Sequence, residues 1–176
     1  GRVFRGIYHR SQDDWNYFST SSLFRELQQE HLLIPTHPVE IDARFPTDIV
    51  EACATVVEHE RVPFVSYPYE WPAEMLLAAA KLTLDLAGAG LDEGVGLKDA
   101  KPDNVMFRGP APVFIDALSF EKRIPGDPIW RAEAQFIRTF LLPLLAHREA
   151  GLSLNELLLN RGDGLEPEEV YRLLGP

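Results

Sequence analysis

Residues 97–121, LKDAKPDNVMFRGPAPVFIDALSFE, constrain this chain more than any other stretch. Two apolar runs, 105–107 (VMF) and 113–115 (VFI), have the length of short strands. Arg108, Gly109, Pro110, Ala111 and Pro112 between them leave room only for a tight connection, so the pattern predicts a β-hairpin. Polar groups crowd one end of it. Asp99, Asp103 and Asn104 precede the first strand and Asp116 follows the second, so the ribbon would carry carboxylates and an amide to one place. The same residues would also serve a plain hairpin, with Asp103 and Asn104 opening a turn and Asp116 ending a strand.

Around that hairpin the chain has enough apolar residues for one domain or two small lobes: 176 residues, 45% hydrophobic and 25% charged. A formal net charge of -10 argues against a general binder of nucleic acid or of an anionic membrane, since either would be repelled. Lys98, Lys101, Arg108, Lys122 and Arg123 could still form a local basic patch. Cys53 is the single cysteine, which excludes an internal disulfide, and no Cys/His cluster has zinc-ligand spacing. The reducing cytoplasm is the expected compartment. Residues 76–86 are apolar, but Lys81 and Asp85 interrupt them and they are too short to span a bilayer. No signal-peptide pattern opens the sequence, and the chain reads as a possible piece of something longer.

Taken in order, residues 3–8 (VFRGIY) read as a strand with Val3, Arg5 and Ile7 on one face. Residues 9–16 are polar and read as a loop. Ser19, Thr20, Ser21 and Ser22 offer N-caps to a helix whose stripe is Leu23, Phe24 and Leu27, with His31 as its candidate extension. Residues 39–45 read as a strand with acidic breaks, residues 50–59 suit either a short helix or a strand, and residues 61–67 (RVPFVSY) read as an edge strand. The rigid segment 68–72, PYEWP, changes the register. Pro72 suits a first helical turn, and Met75, Leu76, Ala79, Leu82, Thr83 and Leu86 recur at helical spacing, with Gly88 and Gly90 as terminators. Residues 130–147 predict a second long helix, kinked or split at Pro143. Two short helices follow, opened at Ser153 and Glu166. This order predicts an α+β fold: a small mixed lobe over residues 1–67, a hinge at 68–72, and a mainly helical lobe over 73–176 that carries the hairpin.

Asp99 stands five residues before Asn104, and Asp116 twelve after it. At one end of a hairpin, the Asn104 amide oxygen and the Asp116 carboxylate can share a divalent cation of the hard, oxygen-seeking kind, such as Mg2+. Asp99, in the preceding loop, is near enough to orient or deprotonate a hydroxyl, and Lys101 could meet a transferred phosphoryl group. A metal, a base and a cation are what phosphoryl transfer needs. A capping carboxylate at Asp99 and a solvent-facing Lys101 fit the same residues.

The run Lys98-Asp99-Ala100-Lys101-Pro102-Asp103-Asn104 resembles the catalytic loop of the protein-kinase-like superfamily, Arg-Asp-Leu-Lys-Pro-Glu-Asn in eukaryotic protein kinases. The resemblance implies a two-lobe fold with a reduced N-terminal lobe. It makes Asp99 the catalytic base, Lys101 the residue that stabilises the transferred group, and Asn104 and Asp116 the metal ligands. ATP and Mg2+ would be the cofactors. The hinge at 68–72 would meet the adenine, with Tyr67, Tyr69 and Trp71 as candidate pocket aromatics. The chain departs from the pattern in four places. Leu97 stands where the loop histidine would be, and Asp116-Ala117-Leu118 where Asp-Phe-Gly would be. No G-x-G-x-x-G loop is present, and no lysine precedes Lys81. Arg5 is then the only substitute for the strand lysine that grips nucleotide phosphates, pairing with Glu26 or Glu30. SYPYEW and the segment around the hairpin also resemble a bacterial family named for SAM-dependent methyl transfer, in which a kinase-like part precedes a methyltransferase domain. Gly88-Ala89-Gly90 follows a helix rather than a strand, so this segment offers no SAM site. Two functions are therefore expected as alternatives. One is a module that binds Mg-ATP and transfers phosphate to an unidentified small-molecule or protein hydroxyl. The other is an inactive kinase-like binding or regulatory domain attached to a methyltransferase. Neither nucleic acid nor a membrane is an expected partner.

Overall fold

The computed structural model describes residues 1–42 and 45–175, and its architecture is α+β. β1 (Val3–Tyr8) is followed by α1 (Gln12–Thr20), where the polar composition predicts a loop. Tertiary packing overrides that composition. Asp13 and Asp14 occupy the first turn, where carboxylates suit the helix dipole. Trp15 and Phe18, three residues apart, are buried: Phe18 stacks on Phe120 at 4.0 Å and Trp15 meets Phe24 edge-on at 5.7 Å. α2 (Ser22–Gln29) starts as expected, with Ser21 Oγ accepting from Phe24 N at 3.1 Å, and buries Leu23, Phe24 and Leu27. His31 lies beyond its end, exposed and at φ 60°, so it adds nothing to the stripe.

β2 (Thr36–Val39) ends where the acidic strand was expected to begin; residues 40–42 and 45 are irregular, and Ala43 and Arg44 lie outside the described residues. The ambiguous stretch that follows is both of its alternatives in turn, since α3 (Thr47–Ala52) runs directly into β3 (Cys53–His59). β1, β3 and β2 form one antiparallel sheet in that order. His59, at the end of the central strand, is flanked by Val3 on one side and Thr36 on the other. Cross-strand partners share a face, so Val3, Arg5 and Ile7 stand on the same side as His59, Val57 and Thr55. Ile7 and Val57 are buried there, which leaves Arg5 and His59 at the outer end of a core-facing surface. Residues 61–67 do not form the expected strand. Only Val62 among them is buried, and Phe64 is 76% exposed.

α4 (Ala73–Asp92) is the expected central helix, but it continues through Gly88 and Gly90. Gly90 serves packing rather than termination: a Cβ there would lie 2.6 Å from the Val95 carbonyl oxygen. β4 (Val95–Leu97), β5 (Val105–Arg108), β6 (Ala111–Phe114) and β7 (Phe120–Lys122) follow. β5 and β6 make the expected hairpin, with Arg108 opposite Ala111. Its turn is reduced to Gly109-Pro110, and Gly109 has the positive φ, 60°, that a two-residue hairpin turn asks of its first position. β4 pairs with β7, so the two ends of the hairpin segment are drawn together behind it.

The expected long helix near the C-terminus is divided into α5 (Glu133–Phe136), a π-helical turn over Ile137–Leu141, and α6 (Leu142–Ala150). Pro143 has no N–H to give, and the wider turn before it absorbs the missing bond. α7 (Leu154–Asn160) and α8 (Pro167–Leu174) start at Ser153 and Glu166, as expected. One core cluster runs from Ile7, Trp15 and Phe18 through Leu76 and Leu86 to Phe120, Phe140 and Leu154, so segments before and after residues 68–72 share it. Each large side chain fully buried in it, such as Phe18 or Phe114, contributes on the order of 2 kcal/mol. A parallel bridge ties the two parts at backbone level: Ile34 N donates to Phe114 O and Phe114 N donates to Leu32 O, each at 2.8 Å.

Candidate functional site

The loop before the hairpin is held by side chains from distant elements. Lys98 N donates to Ser119 O at 2.8 Å, Ala100 N to Gln135 Oε1 at 2.6 Å, and Trp130 Nε1 to Leu97 O at 2.7 Å. Lys98 Nζ reaches Asp14 Oδ2 at 2.7 Å while Lys122 N donates to the other oxygen of that carboxylate. Of the five basic residues near the hairpin, Lys98 pairs with Asp14 at 2.7 Å and Arg108 with Glu60 at 3.0 Å.

Asn104 is buried and organises the loop. Its amide nitrogen donates to Asp99 O and to Ser119 Oγ, both at 3.2 Å, and its backbone carbonyl accepts from Ile115 N at 2.8 Å. Both amide hydrogens are thereby used, so Oδ1 is the atom left to meet a cation or a donor. Asp116 lies one residue past Ile115. Its Oδ1 accepts from Leu118 N at 3.0 Å and pairs with Arg5 Nη1 at 2.7 Å. The expected partners of Arg5, Glu26 and Glu30, are both exposed, and Arg5 is spent on Asp116 instead. Asp99 is partly buried, and its Oδ1 is enclosed without a hydrogen-bond partner among the described residues. An enclosed carboxylate oxygen without a donor is costly, and such groups cluster where a ligand or a reaction supplies what is missing. Lys101 is half-buried at the start of the single helical turn Pro102–Asn104.

Beside Arg5 opens a cavity of about 350 Å3. Val3, Ile34, Val62, Val65, Met106 and Ile115 give it apolar walls, and Arg5, His59, Glu60 and Arg61 bring polar groups to it. His59 Nδ1 is 2.8 Å from Thr36 Oγ1. Burial pushes the His59 pKa below its ordinary value, the Arg5 charge adds to that, and Asp116 pulls the other way. Tyr67 and Tyr69 do not line this cavity. They stack on each other, rings 5.6 Å apart, on a turn capped by Glu70 and tied to α7 through Asn155 Nδ2 to Tyr69 O at 2.5 Å. Trp71 is buried against Phe107 and is core.

The structure thus brings together Arg5 and Asp116, and separately Asp99, Asn104 and Ser119, around one end of the hairpin. The sequence assigns Ser119 and Gln135 no role, and His59, with His9, His31 and His37, reads there as structural or exposed rather than as a ligand. Ser119 had a local signal, a small polar residue inside an apolar run three residues after Asp116; the other two are fixed by tertiary contacts alone. No group of three or more His, Cys, Asp or Glu with metal-binding geometry occurs among the described residues. Asn104 Oδ1 and the second oxygen of Asp116 are hard-oxygen donors at this end of the hairpin, the type that Mg2+ takes together with water and phosphate. No described helix is long and apolar enough to cross a membrane.

No family model matches the chain. It is 35% identical over 121 residues to the nodulation protein NoeA of Rhizobium meliloti (strain 1021). That alignment covers 69% of this chain and 25% of NoeA, so the chain spans about a quarter of the length of this curated relative.

Proposed function

We propose that this chain is a protein-kinase-like module that takes Mg-ATP into the cavity beside Arg5 and passes a phosphoryl group to a hydroxyl of a small molecule or protein. In this reading residues 1–67 are the reduced lobe, 68–72 the connection and 73–176 the helical lobe, working in the cytoplasm. One observation carries it: a cation on the first strand of the sheet, Arg5, is paired at 2.7 Å with the carboxylate just after the hairpin, Asp116, next to an apolar cavity the size of a nucleoside site. The resemblance of residues 98–104 to a catalytic loop asks for a strand cation and for a carboxylate after the hairpin, although it pairs that cation with Glu26 or Glu30 rather than with Asp116. The fully used amide of Asn104 and the donorless oxygen of Asp99 support the same roles.

Asn104 and Asp116 would hold the Mg2+ that accompanies the nucleotide, which neutralises phosphate oxygens when bound. Asp99 accepts the proton of the acceptor hydroxyl. The acceptor oxygen bonds to the γ-phosphorus as the bond from that phosphorus to the bridging oxygen breaks, and the electron pair leaves with ADP. Lys101 and Arg5 offset charge on the phosphate oxygens. Asp99→Asn should spare nucleotide binding and lower phosphoryl transfer by about 100-fold or more, since the base acts only in the reaction. Unchanged turnover would remove Asp99 from this role.

A second reading, a non-catalytic nucleotide-binding or regulatory domain of a longer protein, is favoured by the arginine at position 5 and the absence of a glycine-rich phosphate loop in these 176 residues. A methyltransferase domain in the parent chain would then be its neighbour. ATP bound without any transfer, in the presence of the parent chain, selects this reading over the first.

A further inference from the structure

His59 presents one defined hydrogen-bonding character to the cavity. The Thr36 hydroxyl donates to Ile34 O at 2.9 Å. A hydroxyl has a single proton, so toward His59 Nδ1, 2.8 Å away, the Thr36 oxygen accepts and the ring nitrogen donates. The proton of a neutral imidazole is therefore on Nδ1. Burial and the neighbouring Arg5 charge both keep the ring neutral. Nε2 is left as a bare lone pair, enclosed and without a partner among the described residues. The ring itself lines the cavity together with Arg5 and with Ile34, Val62, Met106 and Ile115, apolar side chains of the kind that pack against a planar base. Arg5, which is 44% exposed on a flexible stem, is the neighbour most able to move, and phosphate oxygens compete for it.

Resting on the nucleotide reading above, we propose that His59 chooses the base: Nε2 accepts a hydrogen bond from the exocyclic amino group of adenine and disfavours purines that carry an oxo group there. An amino group gives the enclosed nitrogen the donor it lacks. An oxo oxygen sets lone pair against lone pair and leaves both unsatisfied. Recruitment of Arg5 to the phosphates exposes Nε2 to the base, so one binding event satisfies both residues.

The test compares ATP with ITP, whose base carries an oxo group in place of the amino group and a proton on N1, binding with magnesium to the whole chain and to His59→Leu. The wild-type chain should prefer ATP by about tenfold or more. His59→Leu should lose that preference and unfold at a higher temperature, because the partnerless nitrogen is gone. Equal binding of ATP and ITP by the wild type, or a preference that survives His59→Leu, overturns the role of His59 and leaves the nucleotide site standing. Binding of neither nucleotide overturns the site and this inference together. If His59→Leu does not fold, 15N resonances of the wild-type ring decide: Nδ1 should carry the proton, and Nε2 should shift on addition of ATP but not of ITP. A ring protonated at Nε2, or unmoved by ATP, contradicts the proposal.

Discussion

Arg5 Nη1 and Asp116 Oδ1, 111 residues apart in sequence, lie 2.7 Å apart and join the first strand of the sheet to the loop that follows the hairpin. The carboxylate is fixed from its other side by Leu118 N, so the guanidinium meets a pre-oriented partner. The pair should nevertheless add little to stability. Arg5 is 44% exposed, and exposed pairs are worth about 0.2–1 kcal/mol. A double-mutant cycle with Arg5→Ala and Asp116→Ala, read by urea unfolding, should give a coupling in that range that shrinks with added salt. A much larger coupling would make the pair a structural staple.

Asn104 should matter far more to the fold. It is buried, and its amide holds both the Asp99 carbonyl and the Ser119 hydroxyl. Asn104→Ala should cost about 2–3 kcal/mol in unfolding free energy, because it leaves those groups without their donors. Ser119→Ala removes one acceptor and should cost about 1 kcal/mol. Equal effects of the two would mean that the loop does not depend on the amide.

Two glycines of α4 should respond in opposite directions. Nothing lies within 4 Å of a Cβ built at Gly88, so Gly88→Ala should raise stability by about 0.5–1 kcal/mol through helix propensity alone. At Gly90 the added carbon would press on the Val95 carbonyl, and Gly90→Ala should destabilise by about 1–3 kcal/mol despite the same propensity. Thermal melts of the two variants check the close approach of α4 to β4 directly.

Acid should weaken the fold through His59. Its folded pKa lies below the ordinary 6.5, chiefly because burial disfavours the charged ring. As pH falls through 6.5 the unfolded chain binds the proton first, so this contribution to stability is present above that value and is lost as pH drops through the folded pKa. The difference in unfolding free energy between wild type and His59→Leu should therefore widen against the wild type below pH 6.5 and be flat above pH 7.5. A flat difference at all pH values would mean that the ring titrates alike in both states.

The hairpin was legible because everything that specifies it is local: two apolar runs, a Gly-Pro turn and flanking Asx residues. The same local pattern marks Asp99, Asn104 and Asp116 as the polar groups at one end of it. α1 was not, since its polar run hides only two apolar anchors, Trp15 and Phe18, whose value depends on Phe24 and Phe120 far along the chain. Residues 61–67 misled in the opposite way. Their alternation is strand-like, but only Val62 among them is buried, against Ile34 and Val113, while Phe64 and Val65 are exposed, so the segment buries no strand face. The partner of Arg5 was missed because nothing in sequence marks which of many carboxylates a strand residue will face. His59 reads in sequence as structural or exposed for a related reason: its character comes from Thr36 and Ile34, and only the register of β2 against β3 puts them side by side.

The central claim is that the cavity between the sheet and the hairpin holds a nucleotide. Isothermal titration of the whole chain with Mg-ATP at millimolar concentration, repeated with Arg5→Ala and Asp116→Ala, tests it most directly. The account predicts measurable heat and an upward thermal shift for the wild type, both weakened by about tenfold in affinity in each variant. No heat and no shift with the wild type, in a sample shown to be folded, would contradict it.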